Sequence, residues 1–158
     1  MDIVKNDNYF QIILDNVSFL IDPAHLNFDT PIILTDYNKN LNKDKIFSSP
    51  GEYNIGSVYF WGFNNYDRII YYFKSTEGSL LLLVNKLKDD VLKRIKLINK
   101  EIDAFFFINF LDKEIISIFK PKLILVDRNI DIPNFKKQIG KRLKVNLKKV
   151  DKLVFIFD

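Results

Sequence analysis

No cysteine occurs among the 158 residues, and histidine occurs once, at His25. The first absence excludes disulfides, thiolate nucleophiles and zinc ribbons, and the second excludes every metal site built on more than one imidazole. Glycine and proline are scarce, at five each, and the glycines are dispersed. No phosphate-cradling glycine loop and no flexible linker can therefore be drawn. No uncharged apolar run approaches the roughly 20 residues that span a bilayer. The opening Met1-Asp2-Ile3-Val4-Lys5 mixes charges where a secretory signal has a basic and then an apolar stretch. A soluble cytoplasmic protein without membrane contact is the expectation. The serines lack both a Gly-x-Ser-x-Gly elbow and a second histidine, which counts against a serine hydrolase.

What is present is core material. Hydrophobic residues make up 47% of the chain, enough for one domain of this length, spanning residues 1–158, to close without staples. The net charge of +4 is mild, but its distribution is uneven: from Lys136 to Lys152 eight basic residues face only Asp151. Solvation of a lysine-rich surface accounts for such a run, and nucleic-acid contact through Lys136, Lys137, Lys141 and Arg142 is the competing reading.

Short β-rich segments follow one another in the first half, at residues 9–14, 17–21, 31–34, 57–61, 68–73 and 79–84. Asp15-Asn16 suits a two-residue hairpin turn, and Pro50-Gly51 and Ser75-Thr76-Glu77-Gly78 mark further turns. The period then changes. Val91, Leu92, Ile95 and Ile98 recur at helical spacing behind Asp89-Asp90, and Asp112 precedes a second helical stretch with Ile115, Ile116 and Phe119. The apolar runs 104–108, 122–126 and 153–157 read as buried strands. Pro133 predicts the first turn of a third helix reaching about Lys141. The whole predicts an α/β sandwich with helices outside two packed sheets.

Three segments carry a more specific likeness. Ser49-Pro50-Gly51-Glu52-Tyr53 with the strand after it, Phe19-Leu20-Ile21-Asp22-Pro23 with Ile32-Ile33-Leu34, and Pro121-Lys122-Leu123-Ile124-Leu125 stand in order and at workable spacing. Together they resemble the metallo-β-lactamase fold superfamily, in particular its short bacterial branch similar to L-ascorbate-6-phosphate lactonases. The resemblance implies an αββα sandwich of two mixed sheets, reduced in size. It also implies where a binuclear metal site would stand, and those positions hold other residues. The His-x-His-x-Asp-His loop lines up with Asp36, Asn38, Asn40 and Leu41, and an early Gly-His falls on Asn6-Asp7. The bridging Asp aligns with Lys86, the late His with Arg128, and the middle His lies near Asn65.

These alignments imply no catalytic residue, no metal and no cofactor. His25 reads as an ordinary loop residue. An all-oxygen cation site from Asp22, Asp36, Asn38, Asn40 and Asp127 lacks the remaining acids of an EF-hand loop. Lys86 and Arg128 would enter the former metal cavity beside Asp7, Asp36 and Asp127, either as a buried ion cluster that neutralises leftover carboxylates or as an anion site. Three functions follow as expectations: a non-catalytic interaction or scaffold protein with an unknown protein partner or self-association, a module binding a small anion, and a nucleic-acid-associated protein.

Overall fold

A computed structural model describes residues 1–37 and 44–158. Its strands are β1 (Asp2–Lys5), β2 (Phe10–Leu14), β3 (Val17–Ile21), β4 (Ile32–Ile33), β5 (Ile46–Phe47), β6 (Gly51–Ile55), β7 (Val58–Asn65), β8 (Arg68–Lys74), β9 (Ser79–Leu83), β10 (Ala104–Phe107), β11 (Leu123–Val126), β12 (Lys136–Gly140), β13 (Arg142–Lys144) and β14 (Leu153–Phe157). Its helices are α1 (Asp89–Ile98) and α2 (Lys113–Phe119). They form two mixed sheets, a first in the order β13-β1-β2-β3-β4-β5 and a second in the order β12-β14-β11-β10-β9-β8-β7-β6. The architecture is a metallo-β-lactamase-like α/β sandwich.

Local chemistry accounts for the early elements. Asp15 and Asn16 both take left-handed backbone, φ 47° and 64°, the two-residue turn that matches the twist of β2 and β3. The turn before β6 is shaped by a close approach: a Cβ on Gly62 would stand 2.8 Å from the Ser49 carbonyl oxygen. The Tyr53 hydroxyl folds back to donate to that same carbonyl at 2.8 Å, so the Pro-Gly-Glu-Tyr signature is a structural turn. Asp112 caps α2 by accepting from Glu114 N–H at 3.0 Å and Ile115 N–H at 3.4 Å.

Two apolar layers hold the sandwich. Between the sheets lie Ile12, Phe19, Phe60, Phe73, Phe106 and Phe157, with T-shaped and stacked rings. Between the second sheet and the helices, Val91, Ile95, Ile115 and Phe119 pack on Tyr72, Phe105 and Ile124. Central strands β9, β10 and β11 are therefore buried on both faces, which is why their sequences do not alternate. The Tyr71 hydroxyl, on β8, donates to the Leu34 and Phe47 carbonyls at 3.1 and 2.9 Å and so ties one sheet to the other. Burial, and after it the nearby Tyr53 and Asp22, push its pKa far above the phenol range, keeping it a donor.

Two expectations change. The helix over residues 133–141 is instead the edge strand β12, parallel to β14. Asn134, at φ 68°, ends the turn that Pro133 begins, and an edge strand tolerates the polar Lys136-Lys137-Gln138 that a packed helix face would not. Among the described residues, helices cover the second sheet only. The outer face of the first sheet carries a small apolar group, Leu20, Ile32 and Leu34, packed by Tyr9, Leu26 and Ile46.

Candidate functional site

The parallel strands β9, β10 and β11 define an upper end of the sandwich, where their carboxyl ends open into loops. Crevices beyond such ends are the usual ligand sites of α/β sheets. The chain leaving β4 crosses to the second sheet here. Ile69 N–H donates to Thr35 O at 2.7 Å and Tyr37 N–H to Asp67 O at 3.0 Å, which sets Asp36 opposite Arg68.

Asp7, Asp22 and Asp127 line one cleft of about 450 Å³ at this end. Two of the three carboxylates already hold hydrogen-bond donors. Asp22, in left-handed backbone, accepts from Thr35 N–H at 2.8 Å and from the Thr35 hydroxyl at 2.5 Å. Both oxygens of Asp127 accept from Asn109 N–H, at 3.0 and 2.9 Å. Asp7 is exposed. Asn38, Asn40 and Leu41 lie outside the described residues.

Asn65, where the resemblance sets the middle histidine, is fully buried at the end of β7. Its amide donates to Asn85 Oδ1 at 2.6 Å and to the Lys86 carbonyl at 2.9 Å, while its Oδ1 accepts from Lys88 N–H at 2.9 Å. The Asn85 amide returns a hydrogen bond to Asn65 O at 3.3 Å. The loop after β9 is thus fastened to β7 by amides, and Lys88 completes it by resting 4.5 Å from the ring centroid of Tyr66.

Lys86 and Arg128 do not form the expected buried ion cluster. Lys86 reaches Glu114 at 3.6 Å with both side chains more than two-thirds exposed. Arg128 folds beside its neighbour, Nε 3.8 Å from Asp127 Oδ1, and its guanidinium donates to the Asn109 carbonyl. Neither side chain lines the cleft, because each long stem finds a partner at the surface without the desolvation that burial of a charge would bring.

A binuclear metal group does not fit these donors. Among the described residues, no group of three or more His, Cys, Asp or Glu stands close enough to hold a metal ion. The Asn6 amide nitrogen at this end is buried without a partner, and an N–H donor cannot ligate a cation. His25 is exposed on a neighbouring cleft of about 520 Å³ shared with Lys5 and Lys141. Sequence reasoning missed Asn85 and Lys88 as the partners of Asn65. The available signal was a polar residue closing each of two long apolar strands.

The basic C-terminal segment divides between the two sheets. Lys136 and Lys137 stand exposed on β12, with Lys137 Nζ donating to Asn129 Oδ1 at 2.7 Å. Arg142, on β13, grips Asp2 through Nε at 3.1 Å and Nη2 at 2.5 Å.

This strand order defines the class: a metallo-β-lactamase fold. Solved structures agree. A zinc-dependent hydrolase of the metallo-β-lactamase superfamily, so described, from Thermotoga maritima superposes with a TM-score of 0.74 at 16% identity, covering 100% of both chains. The metallo-β-lactamase fold protein YhfI from Bacillus subtilis gives 0.54 at 9% identity over 99% of this chain and 95% of that one. The β-hydroxylase CmlA, as its E377D mutant, gives 0.55 at 10% identity over 79% of this chain and 45% of that one. No family model matches the chain, and neither does any curated protein sequence. Among the described residues, no helix is long and apolar enough to cross a membrane.

Proposed function

We propose that this chain is a non-hydrolytic member of the metallo-β-lactamase fold, from the short bacterial branch similar to L-ascorbate-6-phosphate lactonases, acting as a binding or scaffold protein. One observation carries the reading. Asn65, which the resemblance aligns with the middle histidine, and Asp22 and Asp127, which line the upper-end cleft, each accept from the protein's own N–H or O–H donors. Hydrolysis in this fold rests on a metal-bound water of lowered pKa, and these side chains offer it no ligand set. Self-association through β12 is disfavoured by Lys136 and Lys137, which are charges of the kind that keep sheet edges apart.

The test is metal quantification of the purified protein with native mass spectrometry, followed by a lactonase and phosphodiesterase assay with added zinc and manganese. Substoichiometric metal and no turnover are expected. Stoichiometric zinc, iron or manganese with turnover overturns the proposal.

A second reading, contact with nucleic acid, is supported by the exposure of Lys136 and Lys137 on the edge strand β12 and of Lys141 just beyond it. Retention on single- or double-stranded DNA at low salt, lost in the triple variant K136A/K137A/K141A, would favour it, and no binding at low salt removes it.

A further inference from the structure

The lower end of the sandwich, where β11 and β14 begin, holds a different kind of cleft. It has a volume of about 460 Å³, within the range of small-molecule sites. Its floor is apolar: Ile116 from α2, and Ile132 and Phe135 from the segment leading into β12, are only partly buried and turn their remaining surface to it. Pro121 and Pro133 stiffen its walls.

The rim is cationic. Lys113, Lys120, Lys122 and Lys152 surround the floor, with Asp151 as the one carboxylate. Lys122 is engaged by Asp103 at 2.9 Å. Among the described residues, Lys113, Lys120 and Lys152 have no ion pair within 4 Å, leaving three ammonium groups against one carboxylate.

The backbone adds an independent observation. Lys120, Asn134 and Lys152 all adopt left-handed backbone, φ 50°, 68° and 46°, and all three line this cleft. Glycine is the residue that takes this conformation without steric penalty, and asparagine tolerates it. Lysine takes it at two positions of this one cleft, and among the described residues at one further position, Lys45. Strained backbone of this kind concentrates at ligand sites, where the side chain it presents is what matters.

We infer that this cleft binds a small amphipathic anion, an aliphatic or aromatic body bearing one carboxylate or phosphate. The body covers Ile116, Ile132 and Phe135, and the acidic head takes hydrogen bonds from Lys120 and Lys152 with Lys113 close by. Apolar floor and cationic rim are each incomplete alone. A purely polar anion leaves the floor in water, and a neutral apolar molecule leaves three cations without a partner. The site stands at the opposite end from Asn65 and Asp127 and needs no metal, so its fate is separable from that of the upper end.

Octanoate is a suitable probe, with octanol as its uncharged counterpart, followed by calorimetry and by NMR shifts of Ile116, Ile132 and Phe135. Octanoate binding at one site, with octanol about tenfold weaker or less tightly bound still, is expected. Affinity falls as salt is raised. The decisive variant is K120G/K152G, which keeps the left-handed backbone while removing both charges. It should melt at or above the temperature of the parent and bind octanoate at least about tenfold more weakly. Equal octanoate affinity in K120G/K152G, equal affinity for octanol, or no octanoate shift at these three residues overturns the inference.

Discussion

The two ends of this sandwich treat their charged groups in opposite ways. At the upper end, Asp22, Asp127 and the amides of Asn65 and Asn85 are satisfied by backbone N–H groups, a threonine hydroxyl and one another. At the lower end, two lysines are held in costly backbone conformations around an apolar floor, and among the described residues neither has an ion pair. Satisfied polar groups rigidify a loop and have little left to offer a ligand, whereas unpaired cations around exposed apolar surface favour one. The likeness in fold therefore points to one end of the molecule and the chemistry of the side chains to the other.

The strongest way to break this comparison is to cut the amide fastening at the upper end. Asn65→Ala deletes a fully buried side chain that bonds Asn85, Lys86 and Lys88, and strands the Lys88 N–H. A loss of about 2–4 kcal/mol is expected, since unsatisfied buried groups cost more than the bonds themselves gave. Urea denaturation measures it. A change below about 0.5 kcal/mol, the level of an ordinary surface substitution, would show that the loop is held by something else.

Next in size is the tie between Asp22 and Thr35. Thr35→Val keeps the shape of a buried side chain and removes the hydroxyl that donates to Asp22. The backbone donor remains, so about 1–2 kcal/mol is expected to be lost. If metal were the true partner of Asp22, adding zinc would raise the melting temperature of this variant. No such rise is expected.

A smaller, pH-dependent effect comes from Asp103 at the lower end. Burial pushes its pKa up, but donation from Lys122 and from the Ser79 N–H and hydroxyl outweighs burial, and the carboxyl is held below the ordinary value. Its contribution to stability is thus fully present above the unfolded pKa of about 3.9 and is lost as pH falls through the lower folded value. Asp103→Asn should lower stability at neutral pH and flatten the acid limb of the stability curve below about pH 4. Parallel curves for the two proteins would dismiss the network.

Much of the fold was legible because burial writes itself into sequence. The runs at β10, β11 and β14 are apolar at every position and β9 is so after its opening Ser79, and α1 and α2 carry a helical stripe behind acidic residues. What failed was edge structure. Phe135 and Ile139 are four apart and mimic a helix face, yet Ile139 is 58% exposed on β12. The pairing of β1 with β13 joins Asp2 to Lys144 and leaves no local trace in either segment. At the candidate site, the scarcity of histidine was plain from composition. The substitutes were not, since Asn85 and Lys88 act through a loop geometry that no spacing encodes, and Lys86 and Arg128 drew attention by alignment while their partners, Glu114 and Asn109, came from elsewhere in the chain.

The smallest expected effect sharpens the comparison most. Lys120 terminates α2 at φ 50°, ψ 56°, with its N–H bonded to the Ile116 carbonyl, a position where glycine is the common choice. Left-handed backbone disfavours a side chain by about 1–2 kcal/mol, while glycine adds about 0.5–1 kcal/mol of unfolded-state entropy. Lys120→Gly alone should therefore stabilise the protein by about 0.5–1 kcal/mol. Lys122 supplies the internal control, because Lys122→Ala removes a charge from the same rim but also breaks the Asp103 pair, and it should destabilise. If thermal melts show Lys120→Gly losing stability as Lys122→Ala does, then Lys120 serves the fold in the way Lys122 does. A gain in stability from Lys120→Gly would mean that the lysine stands there at the expense of the fold, as a residue kept for what it binds.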